Sequence, residues 1–365
     1  MDADAGAWRD AGLYDPDAAN AEDRLGVLRF LTDRGATLDE LLAAAADDGL
    51  PPLASALYQR RERFTPREVA ARAGQPLEFV LGMVRALGLG DAEPDTPRLI
   101  EPDVHTIELA AAGRDLFGLE ATLQFARVLG DALARVADAA MTDFGQNVAP
   151  ALEAVDAGEL AWAQANDAAS QLLFEEVPRL IADVFFHASE AAVRRSALAG
   201  TAATSELTVG FVDLVGSAAL AERLSAAELG ATISAFERDA TERIARDDGQ
   251  VVKMIGDEVM FVTLDAGAAC LTALDLADRV AADPVLPQLR GGLAAGGLVR
   301  GYGDYYGPVV NTAARAVKLA APGEVWVTHE VRRRAEGAPV MFDPLGAYAL
   351  RGFEQDVAFY RVRRP

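Results

Sequence analysis

Two aspartates, Asp213 and Asp257, lie at the ends of short apolar runs, in "FVDLVGS" and "KMIGDEVM". The first run, residues 207–214, is typical of a buried strand, and both carboxylates are expected at strand ends of one sheet. Such a pair can bind Mg²⁺, while the backbone N–H groups of Gly216 and Ser217 can bind phosphate where a helix begins. Two cations on two carboxylates would suit in-line phosphoryl or nucleotidyl transfer. Taken alone, Asp213 would more commonly only cap the helix or turn.

A lysine lies four residues before the second aspartate, in "VVKMIGDEVMFV". The β-branched runs on both sides of Gly256 and Asp257 predict a hairpin with a tight turn, which brings Lys253 close to Asp257. On these residues alone, the two charges would more commonly be only the solvated ends of edge strands. Both interpretations stay open until the rest of the chain is considered.

Composition limits the class of protein. A chain of 365 residues, 51% hydrophobic and 25% charged, is typical of a globular protein with two or three domains. The formal net charge of -22 disfavours general binding to nucleic acid or anionic membrane. The acidic start and the lack of a long apolar run predict a cytoplasmic protein without an integral membrane segment. The single cysteine, Cys270, excludes an intrachain disulfide and agrees with a reducing compartment.

The pattern of the chain changes near residue 200. Helical periodicity dominates before it and alternating strand and helix runs follow it. We therefore predict an all-helical domain at 1–198, a small-residue linker at 199–205 and a mixed domain at 206–365. A long helix predicted over 116–140 has apolar residues on more than one face, so it is expected to be buried on several sides.

The segment 64–89, within the helical half, has helix-turn-helix spacing. Thr65 and Glu68 form a capping-box pattern, and Gly74 ends the first short helix. Taken alone, this suggests a DNA-binding module. The second helix, 76–87, contains one acid and one arginine among mostly apolar residues. We therefore favour a structural helical hairpin.

A third stretch, "GYGDYYGPVVNTAARA" at 301–316, joins the first two. In order and spacing, the three together resemble the signature motifs of class III nucleotidyl cyclases, and of adenylate cyclases in particular. The resemblance covers about residues 206–362. It implies an α+β fold with a ferredoxin-like βαββαβ core, paired head to tail in a homodimer with active sites at the interface. The implied reaction converts ATP into 3',5'-cyclic AMP and pyrophosphate.

The resemblance also implies residue roles. Asp213, Asp257 and the backbone carbonyl of Leu214 would bind two divalent cations, Mg²⁺ or Mn²⁺. Lys253 and Asp304 would bind the purine. The other matched residues are the ribose-orienting Asn311, the transition-state arginine Arg315, and the triphosphate-binding Arg300 and Arg351. The last two matches are looser, and both arginines could equally be surface residues. The chain departs from the family at Ala218, where a threonine usually follows the serine.

The hydrogen-bonding edge of the base explains the lysine. Adenine presents an acceptor at N1 and a donor amine at N6, whereas guanine presents the opposite pattern. Lys253 with Asp304 therefore predicts ATP selectivity. Because the implied dimer is head to tail, Lys253 and Asp257 can share a hairpin and still serve different sites.

The helical half resembles the regulatory domain that precedes the cyclase domain in some actinobacterial adenylate cyclases. This resemblance implies a regulatory domain, and a small molecule or pH is the candidate signal. An apolar stripe runs through residues 173–184 to His187, and a histidine buried there would resist protonation. The alternative is a structural or surface histidine without a signalling role. For the whole protein, the competing hypothesis is a cAMP- or nucleotide-sensing transcription regulator with a degenerate cyclase domain.

Overall fold

The computed structural model describes residues 3–47, 49–91, 93–199, 204–353 and 355–365. The chain divides into two compact units, Met1–Ser189 and Glu190–Pro365. Helix α11, defined below, ends at Ala199 and the first strand begins at Thr204. The predicted linker at 199–205 therefore falls mainly on residues 200–203, which lie outside the described residues.

The described part of the first unit is helical, and its last helix continues past Ser189 into the residues of the second unit. Its helices are α1 (Ala3–Asp10), α2 (Ala21–Asp33), α3 (Leu38–Ala46), α4 (Leu53–Tyr58), α5 (Pro66–Arg72), α6 (Leu77–Ala86), α7 (Glu101–Phe117), α8 (Leu119–Asp143), α9 (Ala149–Ala154), α10 (Glu159–Gln171) and α11 (Val177–Ala199). Short π-helical turns, Phe144–Val148 and Leu172–Glu176, join α8 to α9 and α10 to α11. One apolar cluster lies around Leu28 and Leu31, and a second lies around Val69 and Val80.

Helices α5 and α6 form the predicted hairpin. The Thr65 side chain accepts a hydrogen bond from the backbone N–H of Glu68, and Gly74 turns the chain with a φ of 62°. Most of α6 is buried in the second cluster, through Phe79, Val80, Leu81, Met83, Val84 and Ala86. A helix buried to this extent has little surface for reading bases, and this favours the structural interpretation.

The prediction that the long helix is buried on several sides is wrong for the single chain. Helix α8 buries only Thr122 and Ala126, while Phe125 and Met141 are 56% and 60% exposed. Helices α6 and α7 pack against one narrow face of α8, so apolar side chains on its other faces stay exposed.

His187 on α11 is also exposed, so the burial that acid sensing would require is not met within one chain.

The second unit contains a mixed sheet covered by helices. Its elements are β1 (Thr204–Leu214), α12 (Ser217–Arg223), α13 (Ala226–Arg246), β2 (Gln250–Ile255), β3 (Glu258–Thr263), α14 (Ala266–Ala282), β4 (Leu289–Gly301), β5 (Asp304–Tyr306), α15 (Pro308–Leu319), β6 (Val325–Thr328), α16 (His329–Arg334), β7 (Met341–Tyr348) and β8 (Val357–Arg363). The strand order is β2-β3-β1-β4-β6-β8-β7, and β5 pairs with β4. The antiparallel part β2-β3-β1-β4, with its crossover helices α13 and α14, is the predicted ferredoxin-like βαββαβ core. The predicted α+β fold is therefore confirmed.

The two faces of the sheet pack against different helices. On one face, Val212 and Phe261 contact α13 and α14, and Cys270 is fully buried there as a small core residue. On the other face, Val209 and Phe211 pack against α15. This alternation follows from the period of two residues along a strand.

Among the described residues, none of the helices has the length and apolar character that a bilayer crossing requires.

Helix α15 approaches strand β4 very closely. A Cβ atom on Gly292 would lie 2.2 Å from the backbone N of Val317 and 2.5 Å from the backbone O of Ala313. Only glycine allows this approach, because the obstructing atoms belong to the helix backbone. Gly292 therefore determines how α15 lies on the sheet.

Candidate active site

The two predicted carboxylates meet at one end of the sheet. Asp213 is the penultimate residue of β1, and Asp257 occupies the turn between β2 and β3. In the antiparallel pairing of β1 with β3, Asp213 lies opposite Glu258, which places Asp257 beside it. The turn has two residues, and Gly256 supplies the positive φ of 64° at its first position. Local turn chemistry and strand register together position this pair.

Asp213 is 8% exposed and is ion-paired. Arg290 donates to its Oδ2 atom from Nε at 2.9 Å and from Nη2 at 2.6 Å. Burial raises the pKa of Asp213, the Arg290 guanidinium opposes this rise, and the nearby Asp257 carboxylate adds to it. The net result is a raised pKa, so the folded chain disfavours the charged form of this carboxylate.

Arg290 and Glu258 are site residues that sequence reasoning missed. Arg290 is the register partner of Asp213 across β1 and β4. The pKa of half-buried Glu258 is raised first by its burial and then by the charge of Asp213. Glu258 directly follows Asp257 in the sequence, so it could have been proposed as a site residue. No sequence pattern around Arg290 indicates a role in the site, because only strand pairing brings it to the carboxylates.

The donor set fits a divalent cation. Carboxylates and a backbone carbonyl are the hard oxygen ligands that Mg²⁺ prefers. Burial raises the pKa of Asp213, and repulsion from Asp257 adds to that rise; a bound cation would relieve the repulsion. Among the described residues, no cluster of three or more acidic, histidine or cysteine side chains is arranged to bind a metal. Because Mg²⁺ usually keeps several waters and binds substrate phosphates beside one or two carboxylates, water or substrate oxygens would complete a ligand set of Asp213, Asp257 and the Leu214 carbonyl.

Lys253 and Asp304 form a second group. Lys253 Nζ donates to Asp304 Oδ2 at 2.6 Å, and both side chains remain partly exposed. A bulge in β2 between Val251 and Lys253 shifts the register at this point, which is how bulges redirect side chains. The tight turn before Asp304 has a positive φ at both central residues, 52° at Tyr302 and 84° at Gly303. A donor and an acceptor therefore lie side by side at an accessible position.

Asn311 and Arg315 form the third group, on helix α15. They lie four residues apart, which places them on the same face, while Ala313 and Val317 are buried against the sheet. Both polar side chains line an open cleft of about 620 Å³. The Arg315 guanidinium also donates a hydrogen bond to the backbone carbonyl of Arg351.

The remaining predicted residues are less tightly grouped. Gly216 has a φ of 81° and precedes Ser217, the first residue of α12, which agrees with a turn into a helix. Arg300 lies on β4, with its Cζ atom 5.8 Å from the centroid of the Tyr305 ring. The Arg351 side chain is exposed between β7 and β8.

Two family models match the chain, one after the other. The model described as adenylate cyclase regulatory domain matches residues 10–189. The model described as adenylate and guanylate cyclase catalytic domain matches residues 201–363. The two matches follow the division of the chain into a helical unit and a mixed unit.

Several related proteins match most of this chain. An adenylate cyclase of Streptomyces coelicolor is 32% identical over 78% of this chain and 75% of its own length. A pH-sensitive adenylate cyclase of Mycobacterium tuberculosis is 30% identical over 96% of this chain and 94% of its own length. An uncharacterized protein of the same species is 32% identical over 94% of this chain and 91% of its own length. The crystal structure of the adenylyl cyclase CyaB from P. aeruginosa is 24% identical, covering 44% of this chain and 94% of that one, with a TM-score of 0.40.

Proposed function

Because the chain belongs to the class III adenylate cyclase family, with a regulatory domain ahead of the catalytic domain, we propose that it converts ATP into 3',5'-cyclic AMP and pyrophosphate. The observation that carries this proposal is the 2.6 Å contact between Lys253 and Asp304. A lysine is only a donor and an ionised aspartate only an acceptor, so the pair complements N1 and N6 of adenine. Guanine would place donor against donor and acceptor against acceptor, so the site disfavours GTP.

The other residues then have defined tasks. Asp213, Asp257 and the Leu214 carbonyl would bind two divalent cations, Mg²⁺ or Mn²⁺. When bound, such cations favour ionisation of the ribose 3'-hydroxyl and neutralise the departing pyrophosphate. Asn311 orients the ribose, so that its O3' atom faces the α-phosphorus. Arg315 donates to the α-phosphoryl oxygens as negative charge accumulates on them.

We propose that the enzyme works as a head-to-tail homodimer. The predicted residues fall into three groups in one chain, and a dimer of this geometry would combine carboxylates from one protomer with Lys253 and α15 from its partner. Apolar side chains near these groups support a partner surface: Ile255 is 50% exposed and Tyr306 is 55% exposed. In the helical unit, the exposed apolar faces of α8 and α11 support the same interpretation.

An assay of the purified full-length protein tests the activity. We expect cyclic AMP from ATP with Mg²⁺ or Mn²⁺, and far slower turnover of GTP. Asp257→Ala should abolish turnover, because it removes a cation ligand. Asp278→Ala, which removes a 65% exposed carboxylate paired with Arg364, is the matched control and should retain wild-type activity. Absence of cyclic AMP with either metal would refute the proposal.

We also propose that the helical unit regulates the catalytic unit. The order of the two domains and the family match to a regulatory domain support this. Full-length protein should differ in basal rate from the fragment Ser205–Pro365, with a thermal unfolding transition confirming that the fragment is folded. Equal rates for both folded proteins would remove the regulatory assignment and leave the cyclase assignment intact.

A further inference from the structure

We infer that the turn Leu350–Phe353 holds the Arg315 guanidinium in its working orientation, with Gly352 and Phe353 as positioning residues. This inference rests on the proposed function, because it concerns the task given to Arg315. It adds two residues that contact the arginine rather than the reacting atoms.

The turn has a defined geometry. The backbone N–H of Phe353 donates to the carbonyl of Leu350 at 3.0 Å, and Gly352 has a φ of 86°. A positive φ at the third of four residues is the pattern of a type II turn, for which glycine is favoured. Compared with a type I turn, a type II turn reverses the central peptide, so Gly352 determines where the Arg351 carbonyl points.

The turn is anchored in the core of the second unit. Leu350 is 7% exposed and belongs to a cluster with Ala316, Trp326 and Phe359. Ala316 is the neighbour of Arg315 on α15. The same cluster therefore packs the turn and the helix that carries the arginine, which keeps their separation constant. Phe353 packs against this cluster while half-buried.

Two contacts define the guanidinium position. Its Nη1 atom donates to the Arg351 carbonyl, and its Cζ atom lies 5.2 Å from the centroid of the Phe353 ring. A Cβ atom on Gly352 would lie 3.9 Å from Nη2, so the backbone of the turn approaches the guanidinium as well. A carbonyl oxygen and an aromatic ring face both interact favourably with a cation. Together these two contacts restrict the orientation of the Arg315 guanidinium.

Holding the arginine in advance has a catalytic consequence. A free arginine side chain samples many rotamers, and the turn removes much of that freedom before substrate binds. The carbonyl of Arg351 uses one of five N–H donors, which leaves donors for phosphoryl oxygens in the cleft that Arg315 shares with Asn311 and Phe353. Such preorganisation affects the chemical step more than nucleotide binding.

The test compares ring removal with ring retention in the full-length enzyme. Phe353→Leu should lower kcat about two- to fivefold, the usual range for one cation–π contact, with KM for ATP nearly unchanged. Phe353→Tyr keeps the ring and should restore most of kcat. Gly352→Ala should lower kcat about tenfold, because alanine disfavours the positive φ that directs the carbonyl.

A double-mutant cycle separates positioning from general packing. In an Arg315→Ala background, Phe353→Leu should cause no further decrease, because the group that it positions is already absent. Tyr360→Leu is the matched control: it removes a similarly half-buried ring, 5.0 Å from Arg332 Cζ and away from the cleft, and should leave kcat unchanged.

Two results would overturn the inference while leaving the cyclase activity standing. One is wild-type kcat in Phe353→Leu, and the other is an equal decrease with and without Arg315. If wild-type protein formed no cyclic AMP, the proposed function would fail and this inference would fail with it.

Discussion

The purine-binding pair, Lys253 and Asp304, belongs to the scale of single residues. Each side chain offers one polarity of hydrogen bond, so the pair can be reversed chemically without moving the backbone. Lys253→Glu combined with Asp304→Cys should lower turnover of ATP and favour GTP, because the glutamate accepts where guanine donates. The measurement is the ratio of kcat/KM for GTP to that for ATP.

The single variants serve as controls for this reversal. Lys253→Glu alone and Asp304→Cys alone should lower ATP turnover without a comparable gain for GTP, since each reverses only half of the pattern. A double variant that keeps the full ATP preference would show that the purine assignment is wrong.

At the scale of elements, Gly292 sets the distance between β4 and the helix that carries Asn311 and Arg315. Gly292→Ala would place a methyl group against the backbone of α15. We expect about 1–3 kcal/mol of destabilisation from this overpacking, together with reduced activity because α15 must shift. Thermal unfolding and turnover of the full-length protein measure both effects.

Gly230→Ala is the matched control for this substitution. Gly230 lies within α13, and a Cβ atom there meets nothing within 4 Å. Alanine should therefore stabilise the unit by about 0.5–1 kcal/mol through helix propensity alone. A Gly292→Ala protein as stable and as active as wild type would contradict the packing argument.

At the scale of the whole molecule, the proposed shared sites predict complementation between inactive chains. Asp213→Ala should abolish both sites of a homodimer, and Arg315→Ala should lower turnover at both sites by about a hundredfold or more. In a mixed dimer, one site collects both defects and the other is intact. With equal amounts and free exchange, about a quarter of wild-type activity should return.

The two chains should be co-expressed, because slow subunit exchange would hide the effect, and heterodimers should be isolated through two different tags. Activity of the isolated heterodimer no greater than that of the inactive parents would show that the sites do not assemble across chains. Asp278→Ala mixed with Arg315→Ala is the control for dilution, since its first member is expected to be fully active.

The sequence by itself determined those features that depend on neighbouring residues. The hairpin around Gly256 and Asp257, the capping box at Thr65 and the change from helical to mixed pattern near residue 200 are all local. Local turn and capping chemistry operates over a few residues, so a single sequence reveals it. The family resemblance of the three motifs added the ferredoxin-like core, which the strand order confirms.

Only the tertiary structure decided which distant groups meet. Arg290 reaches Asp213 across 77 residues through the register of β1 and β4. The Arg315 guanidinium reaches the Arg351 carbonyl across 36 residues. The sequence likewise did not reveal that α8 is exposed, because an apolar helix face can be covered by the same chain or by another surface. Register and packing depend on the free energy of the entire fold, so local sequence patterns did not specify these contacts.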